Sequence, residues 1–380
     1  MLIGIDVHKR LVNITEMEED GTARDNYEIE NSEESWNAFT ERYLSTKPEI
    51  ALEQSTSGKY VARLLRDKGF SVHIADPVKL ALIYNSPKKS DREDSYKLAK
   101  LLRLGELPEV HLPSEYSDDL RSLVRYRKSL GEEVTMIKNR IHALLTIHGI
   151  RIDATDIFGR RGMREIEKSF PKLKENERIV MEDMLKRLSD LFDREREMEN
   201  KIALAVKDDQ RIKLLMTIPG INVYSAAVII SEIDDISRFK SKEKLASYSG
   251  LVPRQDQSGD RDIRGHISKR GPSMLRFVVV TASHTAIKRS KRLRAKYLSM
   301  VRRVGRNRAI VAIARILAEL IFTMLKNNKE FIDKMDSLTE RKMKSMSEKA
   351  RNAKATDSIA QSVKIIREKL LTRSSEHSFS

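Results

Sequence analysis

Asp6 ends the apolar, β-prone run Leu2-Ile3-Gly4-Ile5, at the point where a buried strand meets solvent. A carboxylate there does little for a core and much for a site. Glu53 follows a second such run, Ile50-Ala51-Leu52, and Asp91 and Asp94 stand three apart in Ser-Asp-Arg-Glu-Asp-Ser-Tyr-Lys-Leu-Ala-Lys-Leu-Leu, a stretch of helical character. On a helix, residues three apart share a face, so both aspartates can point at one spot. Taken singly, these acids read as a strand end, a turn and the acid-rich first turn of a helix. Taken together, four converging carboxylates repel one another unless a cation lies between them. Hard oxygen ligands of this kind suit Mg2+ or Mn2+, ions that activate phosphate chemistry.

A second chemistry belongs to the C-terminal half. Ser258, before Gly259 in a stretch dense in Gly, Ser, Lys and Arg over 245–276, reads as a loop serine whose hydroxyl is open to act as a nucleophile, although a Ser-Gly pair is far more often a turn. Lys269 and Arg270 in the same stretch can neutralise a phosphate. Upstream, Ile218-Pro219-Gly220-Ile221 reads as a tight turn between two helices, of the helix-hairpin-helix kind. The amides around Gly220 and the following helix N-terminus can then receive a phosphate, while a Pro-Gly turn is also ordinary structure. Lys88 and Lys89 close a loop expected over 77–89 and either put positive charge beside the acids or form a solvated pair.

The elements that must position these groups follow from periodicity. Residues 1–112 alternate strands (2–7, 11–17, 26–30, 49–53, 70–75) with helices (33–44, 58–68, 91–104), which predicts an α/β domain. Across 113–206, Leu120, Leu123, Leu130, Val134, Ile137, Ile141 and Leu144, then Met184, Leu188, Leu191, Met198 and Ile202, recur mostly at threes and fours. That spacing predicts two long charged helices around a turn-rich break at 151–171, forming a coiled-coil-like hairpin or a dimerisation arm. On the first of them, Arg121, Arg125, Arg127, Lys128, Lys138 and Arg140 either grip a nucleic-acid backbone or form a solvated face. Residues 207–333 read as mainly helical, and 334–380 as a basic polar tail with helical stretches at most and a disordered end.

Composition narrows the partners. With 380 residues, 40% of them hydrophobic, the chain can fill two or three cores. Lys plus Arg number 72 against 56 Asp plus Glu, and the resulting +16 favours a polyanion through counterion release. No apolar run reaches spanning length and no signal-peptide order opens the chain, so the expectation is a cytoplasmic protein with nucleic acid, not membrane, as partner. The absence of cysteine excludes disulfides, zinc fingers and a thiol nucleophile. Eight scattered histidines suggest no metal pair.

In order and separation these pieces resemble the DEDD transposases of the IS-one-ten insertion-sequence family, which includes the Piv-type DNA invertases. The resemblance rests on Gly4-Ile5-Asp6-Val7-His8-Lys9, Leu52-Glu53 and Ser90-Asp91-Arg92-Glu93-Asp94-Ser95 with Leu98-Ala99. It continues in Ile218-Pro219-Gly220-Ile221, Tyr248-Ser249-Gly250-Leu251-Val252-Pro253, Ser258-Gly259 and Ile267-Ser268-Lys269-Arg270-Gly271, and covers residues 1–330. It implies a ribonuclease-H-like (RuvC-like) fold for 1–112 with Asp6, Glu53, Asp91 and Asp94 as metal acids, and Ser258 as the nucleophile of 207–333. It further implies an RNA-guided serine recombinase of a prokaryotic mobile element, nucleoid-associated, with donor DNA, target DNA, a structured guide RNA and further copies of the chain as partners. The tail after about residue 335 exceeds the family's usual end. Three rivals stand beside this reading. One is a metal-dependent nuclease like the Holliday-junction resolvases, in which water attacks and Ser258 is only a turn residue. Another is a non-catalytic nucleic-acid-binding scaffold. The last is a sugar-kinase-like ATPase, which shares the Gly-Ile-Asp strand but needs glycine-rich phosphate loops that do not occur here.

Overall fold

In the computed structural model, which describes residues 1–83, 90–258, 261–353 and 363 and gives the backbone alone at 255–258 and 261–264, the chain divides into two compact units. These are Met1–Pro113 and Ser114–Ser380. The elements of the first are β1 (Leu2–Val7), β2 (Leu11–Met17), β3 (Ala23–Glu30), α1 (Glu33–Tyr43), β4 (Glu49–Glu53), α2 (Thr56–Asp67), β5 (Val72–Ala75), α3 (Pro77–Ile83) and α4 (Asp91–Leu104). Its sheet has the order β3-β2-β1-β4-β5. β2 runs antiparallel to β1 and β3, whereas β4 runs parallel to β1 and β5 parallel to β4. β1 is therefore central and covered on both faces, which is why it reads as an unbroken apolar run.

Alternate residues of the strands feed two cores. Ile3, Ile5, Ile50, Leu52 and Ile74 pack with Trp36, Phe39 and Tyr43 of α1 and with Val61 and Leu65 of α2. On the other face Ala51 and Ala75 meet Leu98 and Leu102 of α4. This mixed sheet, joined to a mostly helical second unit, fits a ribonuclease-H-like transposase. α3 departs from the loop expected over 77–89. Pro77 takes a first helical position, where a missing N–H costs nothing, and Asp76 Oδ1 accepts from the amides of Val78 and Lys79 at 3.0 and 3.3 Å. Lys88 and Lys89 lie outside the described residues.

The second unit opens with α5 (Glu115–Ile147), α6 (Arg160–Ser169) and α7 (Glu175–Val206). α5 and α7 run antiparallel, since Arg127 meets Glu195 and Glu199 toward one end and His148 meets Glu177 toward the other. Leu130, Val134, Ile137 and Ile141 pack with Met181, Met184, Leu188 and Leu191 between them. The turn-rich break expected at 151–171 holds α6 instead, with Ile166 buried. Neither alternative for the basic residues of α5 describes all of them. Arg121 and Arg125 are drawn to the buried Glu232, Arg127 also stacks over Tyr224, and Lys138 sits over Phe158 and Phe192.

Beyond α7 come α8 (Gln210–Met216), α9 (Val223–Ile233), α10 (Lys242–Tyr248), the hairpin β6 (Pro253–Ser258) and β7 (Arg261–Ile267), then α11 (Ser273–Arg289), α12 (Lys291–Val304), α13 (Arg306–Asn327) and α14 (Asp336–Arg351). α9 is apolar nearly all round and accordingly buried along its length, enclosed in a core that includes Val278 and Val279 of α11 and Leu317 and Ile321 of α13. α14 occupies the start of the expected polar tail. Its Met346 is buried, and Lys342 Nζ donates to the carbonyls of Ile218 and Ile221 at 2.9 Å each, and to that of Met216.

Candidate active site

Register brings two of the four acids to one end of the sheet. Ile5 pairs with Leu52 across parallel strands, so Asp6 and Glu53, one residue further on and still paired with Asn13 and Ala75, lie at the same end of the sheet. α4 supplies the other two. Ser90 caps it, its Oγ accepting from the amide of Glu93 at 3.3 Å, and this places Asp91 and Asp94 in the first turn. The helix can press onto β1 because residue 4 is glycine: a Cβ there would lie 2.0 Å from the carbonyl oxygen of Ser95 and 2.5 Å from the amide of Ala99. A buried hydrogen bond of 2.8 Å between Thr15 and Ser95 hydroxyls pins the same turn.

The result is a cluster centred on a side chain that the sequence reading passed over. His8 Nε2 lies 3.1 Å from Asp6 Oδ2 and 3.3 Å from Asp91 Oδ1, and one ligand atom from each of these three residues falls within 4.8 Å of the others. Burial pushes the Asp6 carboxyl above its ordinary range, His8 pulls it back, and the negative charges of Asp91 and Asp94 push it up again. Asp6 thus carries the repulsion of two neighbouring acids, Asp91 and Asp94. Asp94 is partly offset by Lys97, whose Nζ donates to it at 3.1 Å. Carboxylates that repel, with an imidazole among them, are a donor set that fits a divalent cation. The signal for His8 was its place two residues after Asp6, since alternate residues of an extended chain face one way.

The second candidate group is built by a clasp between two motifs. The amide of Ser268 donates to Val252 O at 2.8 Å, and that of Lys269 to Gly250 O at 3.3 Å. The two segments lie so close that a Cβ on Gly250 would be 2.3 Å from Arg270 O, and one on Gly271 1.9 Å from Tyr248 O. Both glycines also have positive φ, +68° and +86°. The clasp leaves Lys269 and Arg270 exposed at the foot of the β6–β7 hairpin. Ser258 is not in a loop but ends β6, paired with Arg261 of β7, and its side chain and Gly259 lie outside what is described. Gly220 turns between α8 and α9 against α11, where a Cβ would meet Ala282 O at 2.6 Å, and the following helix is capped internally, Asn222 Oδ1 accepting from the amide of Ser225 at 2.9 Å.

Comparison with known families bears on both groups at once. Residues 3–150 match a family model described as Transposase, of the DEDD type of the IS110 group, and residues 212–298 match one described as Transposase IS116/IS110/IS902 family. The two lie in order and together span more than half of the chain. The chain belongs to the IS116/IS110/IS902 family of DEDD transposases. The first match contains Asp6, Glu53, Asp91 and Asp94, and the second contains Gly220, Ser258, Lys269 and Arg270. This transposase is similar to the transposase for insertion sequence element IS1111A of Coxiella burnetii, 25% identical over 64% of this chain and 68% of the relative. It is also similar to the transposase for insertion sequence element IS1328 of Yersinia enterocolitica, 25% identical over 65% of this chain and 74% of the relative. As a transposase it is an enzyme acting on DNA, and its +16 charge suits that substrate. Among the described residues no helix is long and apolar enough to cross a membrane.

Proposed function

We propose that the transposase cuts and rejoins DNA through Ser258, assisted by a divalent cation, Mg2+ or Mn2+, at Asp6, Glu53, Asp91 and Asp94. The observation that carries this reading is the convergence of Asp6 and Asp91 on one point within a charge-coupled cluster that includes Asp94. A divalent ion there offsets charge on the reacting phosphate and eases departure of the sugar oxygen. Ser258 Oγ attacks phosphorus and gives up its proton, while the P–O bond to the sugar breaks and the departing oxygen gains one. The phosphoserine ester conserves the bond energy, so strands rejoin without ATP. Lys269 and Arg270, exposed on the clasp, neutralise the same phosphate, and Lys88 and Lys89, which shortly precede Asp91 in the sequence, bind the DNA backbone in this reading. The acids belong to one unit and Ser258 to the other, so the chemistry calls for both, from one chain or from two copies in an oligomer. A structured RNA of the element as guide, and a cytoplasmic, nucleoid-associated setting, rest on the family resemblance alone.

Protein-linked label on a labelled DNA substrate after denaturation tests the nucleophile. Wild type and Ser268→Ala should carry label, and Ser258→Ala should bind DNA yet carry none. Label on Ser258→Ala and none on Ser268→Ala would move the role to Ser268. Cleavage by wild type without any adduct would favour attack by water, a second reading supported by all four acids lying within a single unit.

A further inference from the structure

We infer that His8 is a metal ligand and that Asp6, His8 and Asp91 form a three-point carboxylate–imidazole centre that selects Mn2+ over Mg2+. This rests on the metal-acid reading above and deepens it by naming a non-acid ligand and the ion. His8 Nε2 stands 3.1 Å from Asp6 Oδ2 and 3.3 Å from Asp91 Oδ1. An octahedral ion with bonds of about 2.1 Å sets neighbouring ligand atoms roughly 3 Å apart. Both separations match that edge. The alternative, a plain hydrogen bond, serves the cluster poorly: Nε2 has at most one proton to give, and two carboxylate oxygens from different residues face it. An ion placed between them accepts a lone pair from all three atoms.

The turn that carries His8 is an ordered one. Its amide donates to Leu11 O at 3.0 Å, and Asn31 Nδ2 donates to its carbonyl oxygen at 2.8 Å, so the turn between β1 and β2 is held from both sides. The His8 and Asp91 side chains are half exposed, 53% and 55%, while Asp6 is 14% exposed beneath them, so the centre opens to solvent on one side. That leaves access for a phosphate oxygen. Imidazole nitrogen is a softer donor than carboxylate, and adding it to the set favours first-row transition ions over Mg2+, which prefers oxygen and water.

The experiment is pulsed electron paramagnetic resonance on the full-length chain loaded with Mn2+, paired with calorimetric titration of Mn2+ and Mg2+. Wild type should show the 14N modulation of a bound imidazole. His8→Ala should still bind Mn2+ through its carboxylates, roughly tenfold more weakly or worse, with the modulation gone. His8→Asp should bind both ions with the Mn2+ preference reduced, and Asp6→Asn should bind neither. Mn2+ on wild type without 14N modulation overturns the inference and leaves the acid site standing. Undiminished modulation in His8→Ala overturns it as well, by assigning the nitrogen elsewhere. No Mn2+ binding by wild type at all overturns both this inference and the metal-acid reading.

Discussion

Asp6 is less exposed than Asp91 and Asp94, whose negative charges both press on it, and under the proposed function the four acids should fail one by one. Asp6→Asn, Glu53→Gln, Asp91→Asn and Asp94→Asn are each expected to abolish strand transfer while circular dichroism and melting stay near wild type, because removing one oxygen ligand spoils the geometry a small divalent ion demands. Full activity in any of them would remove that residue from the site. Gly4 gives the complementary case, a residue with no chemistry that decides where the chemistry sits. Gly4→Ala must push α4 off β1, since the new Cβ meets backbone atoms at 2.0 and 2.5 Å. Overpacking of this kind costs about 1–3 kcal/mol, and a lowered denaturation midpoint together with weakened metal binding would be its mark. An unchanged midpoint would show that α4 gives way freely. Asp6 and Glu53 stood out in the sequence because a carboxylate closing an apolar run is conspicuous, Asp91 and Asp94 because they share one face of a helix's first turn, and of the four the structure brings Asp6 and Asp91 together with His8. His8 was passed over because its spacing from Asp6 is weak evidence by itself, and only the fold brings Asp91 of α4 to within 3.3 Å of it.

Elements were legible where a periodicity and a cap agreed. β1, β2, β4 and α4 run over the expected residues, the strands because they are rich in apolar and β-branched residues, α4 because Ser90 announces it. α3 was misread because Pro77 was taken as a break when, after Asp76, it opens a helix. The β6–β7 hairpin was misread because Pro253–Ser258 is polar beyond its proline and the short alternation of Ile263 and Ile267 sits in a stretch dense in glycine, serine and charge that reads as loop. α14 had the weakest signal, and its anchoring is electrostatic as much as apolar. Glu199 on α7 accepts from Lys349 of α14 and from Arg127 of α5 at 2.7 Å. Burial works against its carboxylate, yet those two cations outweigh burial and hold its pKa below the ordinary value. A carboxyl with a depressed folded pKa contributes stability that is present above its unfolded value, 4.5, and lost as pH falls through the folded one. Stability measured by urea should therefore decline below pH 4.5 in wild type, and Glu199→Gln should flatten that decline while lowering stability at pH 7. A variant whose acid limb matched wild type would mean that Glu199 plays no part in it.

At the scale of the molecule, the two long helices do not form an arm separate from the C-terminal half, as their seam alone suggests. Leu120 and Val124 of α5 and Ile202 and Val206 of α7 belong to the same core as α9, α11 and α13, so one end of the pair is rooted there while Leu130 to Leu145 build a core of their own further out. A three-and-four spacing reports which face of a helix is buried and cannot report against what. Charge follows a similar logic. Arg121, Arg125 and Arg127 of α5 are paired with Glu195, Glu199 and Glu232 and so offer little free charge to DNA, and under the proposed function exposed groups such as Lys269 and Arg270 carry more of the contact. Each duplex phosphate neutralised by a cation adds about 0.9 to the slope of log affinity against log salt. Wild-type binding should thus weaken steeply between low and moderate salt, and the double variant Lys269→Ala/Arg270→Ala should reduce the slope by roughly 2 while lowering affinity most at low salt. The companion variant Arg125→Ala, whose guanidinium is already paired with the buried Glu232 at 3.0 Å, should leave the slope nearly unchanged and lower stability instead. A slope untouched by the clasp variant but reduced by Arg125→Ala would reverse the assignment and place the DNA along α5.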